Sequence, residues 1–206
     1  VFIKKLGRPI FTTHELKTIS GKSTSTIVQS LNRLVEQGLL IKIYRGLWAE
    51  VGDRRVSAFE IIPYLFPRQR VYISFISALH LHGILEQIPQ IITLASTAHT
   101  STIRTKVGTF SVHQIDPAIF DGFDWHKGEG SFLIAEPEKA LIDSLYLSSR
   151  KKKQFGYFPE LHFPQEFSFV KAAQWVERLS EGKIRLNVFK KLEALRLGIS
   201  LKGSLK

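Results

Sequence analysis

Within its first fifty residues the chain carries, in fixed order, the start and stop signals of two helices and then of a hairpin. This order constrains the fold more than any other feature. Pro9-Ile10-Phe11 is short, apolar and extended. Thr12 stands three residues ahead of Glu15, the spacing of a capping box, in which hydroxyl and carboxylate each satisfy a backbone amide at a helix start. A short helix over about His14 to Ile19 follows, with Leu16 and Ile19 on one face, and Ser20-Gly21-Lys22 breaks it. Ser23 is placed to cap a second helix running to about Gln37. Its apolar residues Ile27, Leu31, Leu34 and Val35 recur at the spacing of one buried face. Gly38 falls where a helix stops in the left-handed conformation. Two β-prone runs, Leu39 to Tyr44 and Leu47 to Val51, then flank Arg45-Gly46 as a hairpin. Short helix, tight turn, longer helix and hairpin predict a winged helix-turn-helix over residues 1–57.

A helical wheel at 100° per residue assigns the faces of the second helix. With Ile27 at zero, the four apolar residues fall between roughly −20° and 80°. The opposite face carries Lys22, Ser25, Thr26, Gln29, Arg33 and Glu36. Gln and Arg make bidentate contacts to adenine and guanine edges, so Ser25, Thr26, Gln29 and Arg33 are the candidate base-reading residues. Lys22 and Ser23 at the helix start, and Lys42, Arg45, Arg54 and Arg55 on or after the hairpin, are the candidate phosphate contacts. Residues 1–57 hold ten Lys and Arg against four Asp and Glu. An ordinary amphipathic helix with a solvated face fits the same wheel. Gly38 and the cationic hairpin favour double-stranded DNA, although winged helices also serve as protein-docking modules.

Composition excludes several function classes. There is no cysteine among the 206 residues, so disulfide scaffolds, thiolate-ligated zinc, iron–sulfur clusters and a thiol nucleophile are ruled out. A net charge of +11 points to phosphate-bearing partners or an anionic membrane surface, and charge alone does not choose between them. No apolar run approaches the roughly 20 residues of a membrane span, so no membrane partner is expected. The opening residues VFIKKLGRPI lack the apolar stretch of a secretory leader, and the expected location is cytoplasmic.

Residues 58–206 read as a second, mixed α+β domain, giving an α+β fold class for the whole chain. Residues Ala58 to Phe66 are apolar and end at Pro67. Ser74 is placed to cap a helix from Phe75 to about His82, ended by Gly83. Ile91 to Ala95 reads as a buried strand. A hairpin is expected within Ile103 to Ile115, its first strand at Thr105 to Val107 and its turn at Gly108. Phe132 to Ala135 reads as a strand. Helices are expected from Pro137 through Tyr146, from Ser168 to Leu179, and from an Asn187 cap to Leu197.

Enzymatic readings find little support. His80 and His82, two apart on a helix, point about 200° from each other and cannot share a metal. Glu136, Glu138, Lys139 and Asp143 form the densest charged cluster, with Lys139 and Asp143 spaced to pair at i and i+4. A metal-dependent nuclease wants Glu-x-Lys on a strand, whereas Glu181-Gly182-Lys183 reads as a turn. Gly128-Glu129-Gly130 lacks the lysine and helix of a phosphate loop, and no Gly-x-Ser-x-Gly is present. No catalytic residue, metal or cofactor is assigned; a metal-dependent nuclease or nucleotidyltransferase-like enzyme stays as the alternative. Arg150, Lys151, Lys152 and Lys153, with Lys190 and Lys191, form a possible second basic patch.

These residues together resemble the AbiEi-type antitoxins of type IV toxin–antitoxin, or abortive-infection, systems. In the first domain the resemblance rests on Leu31, Leu34, Val35, Gly38, Leu39, Leu40 and the Arg45-Gly46 turn followed by Trp48. In the second it rests on Ser77-Ala78-Leu79, His82-Gly83, Pro89, Gly108 and the run from Ala135 to Asp143. The resemblance implies a transcriptional autorepressor that binds its own promoter through the N-terminal domain and an antitoxin-type C-terminal domain acting in phage defence. It implies a nucleotidyltransferase-like toxin as functional partner, opposed without a stable complex. No catalytic residue comes with it, so Glu138 and Asp143 are expected to stabilise the C-terminal fold.

Overall fold

The computed structural model describes residues 3–127, 131–150 and 160–198. Among them are seven α-helices and two β-sheets, a mixed α+β chain. Two compact units are distinguished. The first takes the chain up to Arg68 together with Arg104–Gly108 and Lys127–Phe132, and the second takes the rest.

The first unit opens with a 3-10 turn at Ile3–Leu6, then β1 (Ile10–Thr12), α1 (Thr13–Ser20) and α2 (Thr24–Glu36). β2 (Leu40–Tyr44) and β3 (Leu47–Glu50) complete a three-stranded antiparallel sheet in the order β1-β3-β2. A short helix, α3 (Ile62–Leu65), follows with Pro63 in its first turn, where a missing N–H costs nothing. The core is Phe11, Leu16, Ile27, Leu31, Leu40 and Trp48, with Leu34 and Val35 packed against it. The stripe expected on α2 is therefore the buried one. Ile19, expected beside Leu16, is instead 42% exposed. It lies in the last turn of α1, beyond the cluster that Leu16 enters.

The second unit is built on a six-stranded sheet in the order β6-β7-β5-β4-β9-β8. Its strands are β4 (Tyr72–Ile73), β5 (Ile92–Ser96), β6 (Ser101–Arg104), β7 (Thr109–Gln114), β8 (Phe123–Trp125) and β9 (Leu133–Ala135). β5 pairs parallel with β7 and β4 parallel with β9, while β4–β5 and β8–β9 are antiparallel. Its helices are α4 (Phe75–Leu81), α5 (Pro137–Ser149), α6 (Phe169–Glu177) and α7 (Lys183–Arg196). α4, α6 and α7 all pack against α5. Residues Glu138 to Ser148 of α5 are buried without interruption, as a helix enclosed on every side must be.

Three local expectations are corrected, and one strand carries no local signal. Thr105 to Val107 is not a strand but the turn after β6, because the Thr105 hydroxyl accepts the Val107 and Gly108 N–H groups and closes it. α7 begins at Lys183, not at Asn187: Leu186 N–H already bonds Gly182 carbonyl, and an interior asparagine is only mildly unfavourable. Ser74 flanks α4 but caps nothing, its hydroxyl being turned to the Asp143 carboxylate. β8 was not anticipated. Its three residues are made a strand by pairing with β9, which no local pattern announces.

One glycine of this unit has no substitute. Gly122 has φ 70°, and a Cβ there would stand 2.3 Å from the Trp175 ring.

Candidate nucleic-acid interface

The first unit presents α2 by fixing both ends of α1 and the start of α2. At the start of α1, Glu15 N–H donates to Thr12 Oγ1 (3.2 Å) and Thr12 N–H to Glu15 Oε2 (2.7 Å), so the capping box is complete. Arg8 pairs with the same carboxylate. Gly21 ends α1 at φ 66°, a conformation that costs a side-chain-bearing residue about 1–2 kcal/mol, and its N–H returns to Lys17 carbonyl. This sharp reversal separates two helices by three residues. Ser23 then caps α2, its hydroxyl accepting Thr26 N–H at 3.2 Å. Underneath, Trp48 Nε1 donates to Thr13 Oγ1 (2.8 Å) and Thr13 N–H to Gly46 carbonyl (2.8 Å), which ties the hairpin turn to the start of α1.

With the apolar face so anchored, the polar face of α2 is open. Lys22, Ser23, Ser25, Thr26, Gln29 and Arg33 are all exposed. The Ser23 hydroxyl lies 2.9 Å from that of Ser25 and 2.8 Å from that of Thr26, so three hydroxyls converge at the helix N-terminus. Asn32 was passed over in the sequence reading. It is exposed one turn after Gln29, at roughly 140° on the same wheel, where its amide presents the donor–acceptor pair that suits adenine. The wheel angle alone would have found it.

The hairpin cations differ among themselves. Arg45 at the turn and Arg54 beyond it are exposed. Lys42 is exposed, but its Nζ stands 5.2 Å from the centre of the buried Trp48 ring, a cation–π contact that fixes where the charge sits. Arg55 is already partnered, Nε and Nη2 donating to the two Asp53 carboxylate oxygens at 3.0 and 2.7 Å. That side-chain bond, with the Arg55 backbone N–H, holds the Asp53 carboxyl at about 2, so the pair is neutral at physiological pH.

The second basic patch is less uniform than its sequence suggests. Arg150 donates to the Tyr146 hydroxyl at 3.0 Å and lies over its ring. Lys191 is half-buried and donates to Ser148 Oγ at 2.8 Å, and burial lowers its pKa. Lys190 is exposed. Lys151, Lys152 and Lys153 lie outside the described residues.

In the charged cluster of α5, Glu138, Lys139 and Asp143 are buried, whereas Glu136 is part-exposed and pairs with Lys171 at 2.9 Å. Lys139 and Asp143 are fully buried and paired one turn apart, as their spacing predicts. Asp143 also accepts from Tyr72 Oη (3.0 Å) and Ser74 Oγ (2.7 Å), while Lys139 Nζ donates to Tyr72 Oη (2.9 Å) and faces the Tyr72 and Trp175 rings. Burial lowers the Lys139 pKa and raises that of Tyr72 well above its usual value. Glu138, beside them, accepts Ser168 N–H at 3.0 Å at the cap of α6. His80 and His82 are half-buried and contact the Leu85 and Ala135 carbonyls at 3.0 and 2.7 Å. These groups knit elements together, joining α5 to β4, α4 and α6. Among the described residues no three acidic or histidine side chains are grouped to hold a metal ion, and no helix is long and apolar enough to cross a membrane.

A search of curated proteins finds no match. Residues 5–51 match the family model described as transcriptional regulator, AbiEi antitoxin. The matched segment holds the two capped helices and the hairpin that carry the open polar strip, and it is in this segment that the chain is similar to that family.

Proposed function

We propose that this protein is a sequence-specific, double-stranded-DNA-binding autorepressor and the antitoxin of a type IV system. Residues 1–57 act as a winged helix-turn-helix and residues 58–206 as the antitoxin-type domain. The observation that carries the reading is the open strip of α2: short polar and cationic side chains from Lys22 to Arg33, backed by buried Ile27 and Leu31, within a segment that matches a regulator family. In this reading α2 enters the major groove. Ser25, Thr26, Gln29, Asn32 and Arg33 meet base edges, and Lys22, Ser23, Lys42, Arg45 and Arg54 hold phosphates. The functional partner is a nucleotidyltransferase-like toxin, countered in the cytoplasm without a stable complex.

The test is a binding titration of the full chain against its own promoter DNA and against an unrelated duplex of equal length, at several salt concentrations. Tighter binding to the promoter, by the 10³-fold or more that separates specific from non-specific sites, is expected. Equal, salt-insensitive or absent binding removes the reading and leaves a protein-docking role.

A further inference from the structure

We infer that the turn between β6 and β7 adds two backbone contacts, Arg104 and Lys106, to the DNA-binding surface of the hairpin, an inference that rests on the reading above. β2 is an edge strand, paired on one side only, with β3. Its register is interrupted between Lys42 and Tyr44, so Ile43 has no partner in the β3 ladder. Lys106 N–H donates to the Ile43 carbonyl at 3.2 Å, which places the turn against this edge, beside Lys42 and Tyr44.

The turn is rigid. Thr105 Oγ1 donates to the Gly108 carbonyl (2.9 Å) and accepts the Val107 and Gly108 N–H groups, and Thr105 N–H bonds Gly108 carbonyl (2.9 Å). Arg104 and Lys106 are both exposed, and neither forms an ion pair among the described residues. No acidic residue occurs in 39–49 or in 101–109. The two segments therefore bring Lys42, Arg45, Arg104 and Lys106 together with no carboxylate of their own between them. Lys106 stands at the β2 edge, Lys42 and Arg45 lie one and two residues from Ile43 along the chain, and Arg104 lies two from Lys106, a grouping that suits the phosphates flanking a groove. The contact reads no sequence, so it strengthens all duplexes alike.

The experiment compares the full chain with R104Q/K106Q, K106R, R45Q and R33A on the promoter fragment and on an unrelated duplex, across a salt series. Thermal melting checks that each variant is folded. The double variant is expected to weaken both duplexes by the same factor. Its slope of log affinity against log salt should flatten by about 1.8, two phosphate contacts at about 0.9 each. K106R should behave as the parent. An unchanged slope for R104Q/K106Q, with R45Q and R33A both impaired, overturns this inference and leaves the DNA-binding reading standing. Absence of duplex binding by the parent overturns both. If the double variant alone melts earlier, the single charge reversal K106E decides. A steeper loss than K106R with unchanged melting supports the contact, and unaltered binding removes it.

Discussion

At the scale of single residues, charge matters according to whether it is already spent. Arg54 and Arg55 are adjacent, exposed and identical in type, yet Arg55 is chelated by Asp53 and Arg54 forms no ion pair among the described residues. R54Q is therefore expected to flatten the salt slope of DNA binding by about 0.9, R55Q by much less, and D53N to steepen it by releasing Arg55. A salt titration of the three variants checks this ordering. The Asp53 carboxyl is lowered from 3.8 to about 2, so the pair is intact above pH 4 and comes apart only as pH falls through about 2. The D53N effect should accordingly be the same at pH 5 and pH 8. On α2, R33A should cost about 1–3 kcal/mol on the preferred site and relax specificity at one position, whereas N32A should do so at a neighbouring one. Binding-site selection with each variant distinguishes the two. The wheel placed Gln29 and Arg33 and contained Asn32, because exposure on a helix follows from angle alone. The Asp53–Arg55 chelate was not legible: two residues apart in a loop, their geometry depends on a backbone path that no periodicity describes.

At the scale of elements, α1 and α2 owe their positions to their N-terminal caps. The Thr12 capping box and the Ser23 cap each satisfy amides that the helix cannot, and each is worth about 1 kcal/mol. T12A should destabilise the first unit by about 0.5–2 kcal/mol in denaturant unfolding and weaken DNA binding only through stability. S23A should cost a similar amount of stability and also weaken binding in the folded protein, since its hydroxyl lies among those of Ser25 and Thr26 at the helix start. Affinity measured well below the melting temperature separates the two. These caps were read correctly from sequence because each spans three residues. Where an element depended on a distant partner, the local reading failed. β8 is a strand only because Leu133–Ala135 lies beside it, and Asn187, a good cap by type, sits inside α7.

At the scale of the whole molecule, the second unit is organised around a charge pair that water does not reach. Lys139 and Asp143 on α5 collect Tyr72 from β4 and Ser74 from the start of α4, groups 67 to 71 residues away in sequence. Breaking one partner leaves the other buried and uncompensated. K139M should destabilise the chain by about 3–5 kcal/mol. K139M/D143N should recover part of that loss, because asparagine keeps an acceptor for the Tyr72 and Ser74 hydroxyls without the bare charge. Equilibrium unfolding of the single and double variants tests this, and a double variant no more stable than K139M would refute it. Local patterns in the chain are enough for the order of the first elements, their caps, the buried stripe of α2 and the i, i+4 pairing of Lys139 with Asp143. All of these rest on contacts within about one helical turn. Long-range packing sets the rest: this pair is fully desolvated, β4 is flanked by β5 and β9, and Lys106 meets Ile43. Those contacts join residues tens of positions apart, and their choice depends on which apolar surfaces bury one another.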